Sequence, residues 1–118
     1  MVRSMTIKDI FLDAFGRFAA GDVDVLREVI REDFVNHDPA TPRDKDGFID
    51  ATINGPIASS TLDLRRVIAD DQFVVAHFLL TPPEGGLGEA VVDIWRFEGD
   101  LIVEHWDVSQ PATAPDQV

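Results

Sequence analysis

The stretch from Gly88 to Gln110, GEAVVDIWRFEGDLIVEHWDVSQ, decides the fold of this chain. β-branched and aromatic residues dominate both of its halves, which are separated by the sequence Glu98-Gly99-Asp100. Such residues suit a pleated, half-buried strand, and Gly and Asp are typical of tight turns. The stretch therefore predicts a hairpin of two long antiparallel strands. The polar residues that interrupt it are Asp93, Glu104, His105 and Asp107.

The turn sets the register of the two strands, and the register sets which side chains share a face. With Asp100 in a left-handed conformation, a three-residue loop places Asp93 opposite His105. Asp107 then lies beside them on the same face. A two-residue turn at Gly99 and Asp100 is the alternative, and it separates His105 from Asp93. In the favoured register, the opposite face carries Ile94, Arg96, Ile102, Glu104 and Trp106.

The composition is that of one globular domain, with 118 residues of which 45% are hydrophobic and 27% are charged. We expect residues 1–110 to form this domain and residues 111–118, PATAPDQV, to form a flexible tail. Ten Lys and Arg against 22 Asp and Glu give a net charge of −12, which argues against nucleic acid or an anionic membrane as a partner. The sequence has no cysteine, so disulfides and thiolate chemistry are excluded. It also shows no signal-like or membrane-spanning apolar run, and we expect a cytoplasmic protein.

Three helices are predicted ahead of the main strands. Apolar residues between Ile7 and Phe18 recur at helical spacing, and Thr6 with Asp9 resembles a capping box. A second helix is predicted over about Val23–Ile30 and a third over about Lys45–Ile53.

The predicted strands follow the pattern of extended, apolar runs bounded by turn residues. A short piece covers Phe34–Asp38, and longer strands cover Thr61–Ala69 and Gln72–Thr81 before the hairpin. The order predicts an α+β fold in which the three N-terminal helices pack on the concave side of a curved antiparallel sheet. Such a cone-shaped sheet has an open end, and a mostly apolar cavity is its natural consequence.

Several of these segments resemble one known family. GEAVVDIWRFEGDLIVEHWDV is similar to the C-terminal hairpin of SnoaL-like proteins, which belong to the nuclear-transport-factor-2-like (NTF2-like) superfamily. FVNHDPATP and KDGFID resemble the family's loop and following helix, and RVIADDQFVVAHFLLT resembles its central hairpin. The sequence departs from the family at Asp38, where Asn is usual, and at Gly99-Asp100, where the turn usually reads Asp-Gly. The resemblance covers nearly the whole chain, so residues 1–110 are identified as a single SnoaL-like domain.

The resemblance implies a cone of the kind also described as a cystatin-like α+β barrel, commonly dimeric through the outer face of the sheet. It further implies a polyketide cyclase or related enzyme that performs aldol condensation with acid/base side chains and without a metal or another cofactor. By matched position, the pocket residues are Asp93, His105, Asp107, His77 and His37. Phe34, Trp95, Val91 and Val103 are the expected ligand-binding residues alongside His37.

The chemistry expected of this pocket is proton transfer next to a carbonyl group. An aldol closure needs a base at carbon and a donor at the oxygen that gains charge. We assign Asp107 as the general base or acid, Asp93 with His105 as an orienting and proton-sharing pair, and His77 as the donor to the substrate oxygen. The expected partner is a small hydrophobic carbonyl compound, converted by a cyclase, isomerase or dehydratase, together with a second copy of the chain in a homodimer.

Less specific interpretations stay open at this point. Asp93 with His105 can be a cross-strand pair that merely satisfies buried polar groups, and His77 can be a core histidine. His37 beside Asp38 can simply anchor its loop. The domain can therefore be a non-catalytic binding module for a small hydrophobic ligand, or a dimerising domain whose cavity is filled by its own side chains. A metal site is not expected, because the histidines and aspartates are spread over three segments without a metal-binding spacing.

Overall fold

The computed structural model describes residues 5–118, except for the side chain of Pro115, as a mixed α+β fold. The helices are α1 (Ile7–Ala19), α2 (Val25–Val29) and α3 (Lys45–Asn54), with 3₁₀ turns at Pro56–Ser59 and Pro115–Gln117. The strands are β1 (Ile30–Asn36), β2 (Thr61–Ala69), β3 (Phe73–Thr81), β4 (Glu89–Glu98) and β5 (Leu101–Pro111). This order confirms the predicted fold class. Within residues 5–118, no helix has the length and apolarity needed to cross a membrane.

Helix α1 begins at the predicted capping box. The backbone N–H of Asp9 donates to Thr6 Oγ1 at 3.2 Å, and the backbone N–H of Thr6 donates to Asp9 Oδ2 at 3.1 Å. These bonds satisfy two of the amide groups that a helix start leaves without intrahelical partners. The helix buries Phe11, Ala14 and Phe18 on one side. The cap and the apolar stripe together fix which face of α1 meets the sheet.

The strands form one curved sheet in the order β1-β5-β4-β3-β2. Its neighbours are antiparallel except for β1, which runs parallel to β5 and pairs Asn36 with His105. The sheet ends at β1 and β2 and does not close into a barrel. Register shifts interrupt the β1/β5, β2/β3 and β4/β5 ladders. Such bulges bend and twist strands, so they supply the curvature that the cone requires.

The main core lies between the helices and the concave side of the sheet. Its buried members are Phe11, Ile30, Phe34, Phe48, Ile49, Val74, Ala76, Trp95, Phe97 and Ile102. A smaller cluster of Ala14, Phe18 and Val25 joins α1 to α2. Together these clusters hold α1 and α3 on the sheet while leaving a cavity between them.

The β4/β5 turn differs from the favoured prediction. The turn has two residues, because Glu98 pairs with Leu101 across Gly99 and Asp100. Gly99 carries the left-handed conformation (φ +57°), whereas Asp100 does not. Glycine reaches positive φ without steric cost, and a two-residue turn with glycine first is the type II′ arrangement of hairpins. The three-residue loop with a left-handed Asp100 was therefore wrong.

A bulge in β5 follows this turn. Beyond the bulge, the residues of β4 and β5 lie on the faces of the sheet that the prediction gave them. Phe97 pairs with Ile102 but Arg96 pairs with Glu104, so Val103 is the extra residue on β5. Ile102, expected on the outer face, consequently belongs to the core.

The last residues pack on the outer face of the sheet rather than leaving it. Ala112 and Val118 are buried with Leu79 and beside Ala90. Arg65 Nη1 donates to the carbonyl oxygen of Val118 at 3.2 Å. The composition of PATAPDQV predicted a tail, but its two buried apolar residues give it a surface on which to pack.

Candidate functional site

A cavity of about 400 Å³ opens between α1, α3 and the concave face of the sheet. Aromatic rings form much of its wall: Phe11, Phe15, Phe18, Phe48, Phe78 and Trp95. Its polar lining comes from Asp38, Thr41, Thr52, Glu89, Asp93, His105 and Asp107. Its size and apolar wall are those of a small-molecule site. The cavity is therefore not filled by the protein's own side chains.

The register of β4 and β5 brings three titratable side chains to one end of this cavity. Asp93 lies directly opposite Asp107, and His105 lies opposite Trp95. The predicted pairing of Asp93 with His105 is thus displaced by two residues. Because side chains alternate with a period of two, a two-residue displacement keeps all three on the predicted face. Asp93 and His105 become diagonal neighbours, which are still within reach of each other.

His105 is held by hydrogen bonds at both ring nitrogens. Its Nε2 lies 3.0 Å from Asp93 Oδ1, and its Nδ1 lies 2.9 Å from the side-chain Oδ1 of Asn36. The side chains of His105 and Asp93 are 4% and 12% exposed, and Asn36 is fully buried. The imidazole is consequently fixed in position, with no free ring nitrogen left for a substrate.

Two aromatic rings enclose this imidazole. Trp95 lies 4.0 Å from it between ring centroids, and Phe48 lies at 5.3 Å. Both rings are tilted relative to the imidazole, by 31° for Trp95 and 53° for Phe48. Trp95 Nε1 is the buried side-chain polar atom that finds no hydrogen-bond acceptor within the described part of the chain.

The side chain of Asp107, unlike that of Asp93, makes no hydrogen bond to another described residue. The pKa of Asp107 is raised from 3.8 to about 6, mainly by burial and secondly by the negative charge of Asp93. His105 opposes this rise in the pKa of Asp107, and the negative charge of Asp38 adds a smaller contribution to it. Asp107 can therefore exchange a proton near neutral pH, which is what a general acid or base requires.

The same three side chains also offer possible metal ligands. One ligand atom from each of Asp93, His105 and Asp107 lies within 4.8 Å of the others. His105 Nε2 is already within hydrogen-bonding distance of Asp93, so a metal would have to replace that contact. The expectation of a metal-free and cofactor-free site stays a prediction.

His77 lies outside the cavity. Its neighbours Ala76 and Phe78 are buried on the concave side, so alternation turns His77 to the outer face. There Arg66 Nη1 donates to His77 Nδ1 at 3.0 Å. The placement of His77 in the pocket was therefore wrong, and it cannot be the donor to a bound substrate.

His37 also lies on the outer face, although the resemblance implied a place in the pocket. Its ring stacks on Trp106 with centroids 4.9 Å apart, and its Nε2 donates to Glu104 at 2.8 Å. Phe34 points into the core, and alternation from it accordingly sends Asn36, two residues later, inward and His37, three residues later, outward.

Of the remaining predicted ligand-binding residues, one lines the cavity and three are buried elsewhere in the protein. Trp95 lines the cavity. Phe34 is buried in the core against Phe48, with ring centroids 5.0 Å apart, and Val91 is buried without reaching the cavity wall. Val103 is the buried extra residue of the β5 bulge and does not line the cavity either.

Sequence reasoning missed Asn36 and Asp38. Both belong to the stretch FVNHDP, of which the predicted site includes Phe34 and His37. Asn36 contacts His105, and Asp38 lines the cavity. The signal that could have found Asn36 is its separation of two residues from the apolar Phe34.

Comparisons with known proteins agree with this architecture. The chain matches the model of the SnoaL-like domain over residues 11–105. No curated protein matches the chain significantly. An NTF2-like protein of unknown function from Burkholderia xenovorans is similar in structure, with 16% identity, a TM-score of 0.79, and coverage of 94% of this chain and 88% of that one.

Two further solved structures resemble the chain along its length. A SnoaL-like polyketide cyclase from Agrobacterium tumefaciens is 18% identical, with a TM-score of 0.73 and coverage of 91% of this chain and 93% of that one. Wild-type IdmH from Streptomyces antibioticus is 24% identical, with a TM-score of 0.71 and coverage of 97% and 100%. At these identities the likeness shows the fold. With the match over residues 11–105, it follows that this chain belongs to the SnoaL-like domain family and has the NTF2-like fold.

Proposed function

We propose that this protein is an enzyme that moves a proton next to the carbonyl group of a small, uncharged, hydrophobic compound. Asp107 is the general acid or base, and the Asp93–His105 pair sets the charge beside it. One observation carries this proposal: a carboxyl group with a pKa of about 6 stands at an aromatic cavity next to a hydrogen-bonded Asp–His pair. A pKa close to the working pH is the one most useful for proton transfer.

The reaction type that fits best is an intramolecular aldol closure. The Asp107 carboxylate removes a proton from the carbon next to a carbonyl, which gives an enolate. The enolate carbon then attacks a second carbonyl of the same molecule, and the new alkoxide takes the proton back from Asp107. No atoms are gained or lost overall. Isomerisation and dehydration begin with the same proton removal, so they remain in the proposed class. The solved SnoaL-like polyketide cyclase supports the aldol member of this class by its fold alone.

The charge of the cavity supports an uncharged substrate. Its lining includes four carboxyl groups, those of Asp38, Glu89, Asp93 and Asp107. No Lys or Arg is found among the described residues that line it. A substrate carboxylate would leave water to face like charges at a site of reduced dielectric constant, which is unfavourable. Esters and ketones should therefore bind in preference to the corresponding free acids.

Hydrogen–deuterium exchange at carbon tests this proposal without knowledge of the final product. Aromatic β-keto methyl esters and their free acids are incubated with the protein in D₂O, and loss of the α-proton is followed by NMR. The wild-type protein should accelerate exchange in an ester but not in its acid. Asp107→Asn should lower the rate by about 10²–10⁴-fold, because the amide cannot take the proton.

Asp63→Asn is the matched control for this experiment. Asp63 lies exposed on β2 and pairs with Arg65, away from the cavity. The Asp63→Asn variant should exchange the α-proton of the ester at the wild-type rate. If Asp107→Asn exchanges as fast as the wild type, the assignment of Asp107 is wrong.

A binding module without catalysis is the second candidate, supported by the apolar character of the cavity wall. In that case the ester would bind and perturb the fluorescence of Trp95, yet its α-proton would exchange at the rate of free solution. Asp107→Asn would then change affinity alone.

We also propose that two copies associate through the outer face of the sheet. Ile68 and Val108 are each 67% exposed there, and Trp106 lies on the same face. Sedimentation equilibrium should give twice the chain mass of 13.1 kDa. Val108→Asp should shift the equilibrium toward monomer, because it places a charge in an apolar contact.

A further inference from the structure

We infer that Asn36 is a positioning residue that fixes the Nδ1–H tautomer of His105 and thereby places one proton between His105 Nε2 and Asp93 Oδ1. The assignment follows from the hydrogen-bonding partners of the Asn36 amide. Only its consequence for turnover rests on the proposed function.

The orientation of the Asn36 amide is determined on both sides. Its Nδ2 lies 3.1 Å from the carbonyl oxygen of Pro42 and 2.7 Å from Thr41 Oγ1, with the carbonyls of Asp38 and Thr41 at 3.3 and 3.4 Å. Carbonyl oxygens only accept, so the NH₂ group must face them. The backbone N–H of Asp38 donates to Asn36 Oδ1 at 3.1 Å, which independently requires an oxygen there. A flipped amide would break both sets of contacts.

This orientation determines the proton on the near side of His105. Asn36 Oδ1 is an acceptor without a proton of its own, and it lies 2.9 Å from His105 Nδ1. A hydrogen bond at that distance needs Nδ1 to be the donor. His105 therefore carries a proton on Nδ1, and its neutral form has a bare Nε2.

The far side of His105 then needs a second proton. Nε2 lies 3.0 Å from Asp93 Oδ1, and both atoms are acceptors when neither is protonated. Two bare acceptors at this distance would repel each other in a buried site. One proton must lie between them, on either the imidazole or the carboxyl group. In both descriptions the Asp93–His105 pair is neutral overall.

The charge of this pair matters to Asp107. The titratable groups that face Asp107 come from β4 (Glu89 and Asp93), from β5 (His105) and from the loop after β1 (Asp38). With the pair neutral, the negative charge of Asp93 is offset next to the proposed base. Without Asn36, His105 is free to adopt the Nε2–H tautomer and donate to the Asp93 carboxylate. The pair would then hold one proton fewer and carry one negative charge beside Asp107.

The first test is ¹⁵N NMR of the histidine side chains in the wild-type protein, which needs no substrate. His105 Nδ1 should show the shift of a protonated nitrogen at neutral pH. A bare Nδ1 would overturn the inference.

The second test compares Asn36→Leu with Thr41→Val. Leu has the same branching at Cγ as Asn but no hydrogen-bond acceptor, so His105 should change to the Nε2–H tautomer. Thr41→Val removes one partner of the Asn36 NH₂ group while leaving Oδ1 in place, and it should keep the wild-type tautomer. In the exchange assay, Asn36→Leu should move the midpoint of the rate profile upward by about one pH unit, as expected for an added negative charge.

The outcomes separate this inference from the proposed function. A protonated Nδ1 without exchange in any ester would keep the role of Asn36 and remove the enzymatic proposal. If the protein catalyses exchange while His105 Nδ1 is bare, the enzymatic proposal stands and the role of Asn36 is overturned. If Asn36→Leu folds and keeps the Nδ1–H tautomer, Asn36 only anchors its loop and the inference fails. Should Asn36→Leu not fold, the wild-type spectrum decides alone.

Discussion

The two faces of the sheet each carry a histidine hydrogen-bonded to a carboxylate, and the two pairs have different surroundings. On the cavity side His105 lies 3.0 Å from Asp93, with side chains 4% and 12% exposed. On the outer side His37 lies 2.8 Å from Glu104, with side chains 29% and 24% exposed. Distance alone would make these pairs equivalent. Their neighbours and their contact with water make them different.

The neighbours determine what each carboxylate site can do. Arg96 Nε also donates to Glu104, and hydrogen bonds from His37 and Arg96 lower the pKa of Glu104 below its ordinary 4.5. The Glu104 carboxylate therefore stays ionised across the physiological range. The cavity pair has no such cation, and the third group beside it is the carboxyl of Asp107, whose pKa rises to about 6. Glu104 is therefore a permanently charged carboxylate of the sheet surface, whereas the carboxyl group of Asp107 can exchange a proton near neutral pH.

Replacing each histidine by leucine should give the largest difference in unfolding free energy between the two pairs. His105→Leu leaves Asn36 Oδ1 with the backbone N–H of Asp38 as its remaining donor and Asp93 buried without its partner, and it should cost about 2–4 kcal/mol of unfolding free energy. His37→Leu breaks a more exposed pair and should cost about 0–1 kcal/mol. Urea denaturation at pH 7 measures both. Equal losses would mean that burial does not distinguish the pairs.

Neutralising Asp107 should change the unfolding free energy by less than His105→Leu does, and it should raise stability rather than lower it. Its pKa is raised in the folded state, so its contribution to stability is fully present below pH 3.8 and is lost as the pH rises through about 6. Asp107→Asn should therefore stabilise the protein by about 1–2 kcal/mol at pH 7, after allowance for partial solvent contact, and by almost nothing at pH 3.5. Thermal unfolding across this pH range tests the sign. A destabilised variant at pH 7 would mean that the folded protein favours the charged form.

Neutralising Glu104 on the outer face should give the smallest change in unfolding free energy. Its pH dependence should be the reverse of that expected for Asp107→Asn. Its pKa is lowered in the folded state, so its contribution to stability is present above 4.5 and is lost as the pH falls through the lower folded value. Glu104→Gln should cost about 0–1 kcal/mol at pH 7, and the loss should shrink on acidification and in high salt. A loss that is independent of both pH and salt would show that packing, not charge, is what the variant removes.

The parts of the fold that follow from local chemistry could be predicted from the sequence. The apolar stripe and capping box of α1 indicated a helix with the observed buried face. The β-branched runs and turn residues indicated β2, β3, β4 and β5 within one or two residues, whereas β1 begins at Ile30, four residues before the predicted start at Phe34. Such features depend on neighbours in the chain, and periodicity reads them directly.

The register of the hairpin could be predicted only in part. The three-residue turn requires Asp100 as its left-handed residue, whereas Gly99 has that conformation. The bulge at Val103 depends on how β5 fits against β4, and no local pattern announces it. The face of Asp93, His105 and Asp107 was still correct because the combined displacement is an even number of residues.

The histidines outside the hairpin show what alternation could have contributed. His77 stands between two residues that are buried on the concave side, and His37 stands three residues after the inward-pointing Phe34. A count by twos from either neighbour places both histidines outward and Asn36 inward. Their placement in the pocket came from matched position rather than from this count. Asp38 in the cavity wall belongs to a loop, where no such count applies.

The most direct test of the central claim is a ¹³C NMR titration of the carboxyl carbons of Asp107 and Glu104 in the wild-type protein. Burial beside Asp93 predicts a midpoint of about 6 for Asp107, while the bonds from His37 and Arg96 predict a midpoint below 4.5 for Glu104. That result would place a neutral-pH acid or base on the cavity face alone. A midpoint for Asp107 at or below its ordinary 3.8 would contradict the account, because both faces would then carry permanently ionised carboxylates.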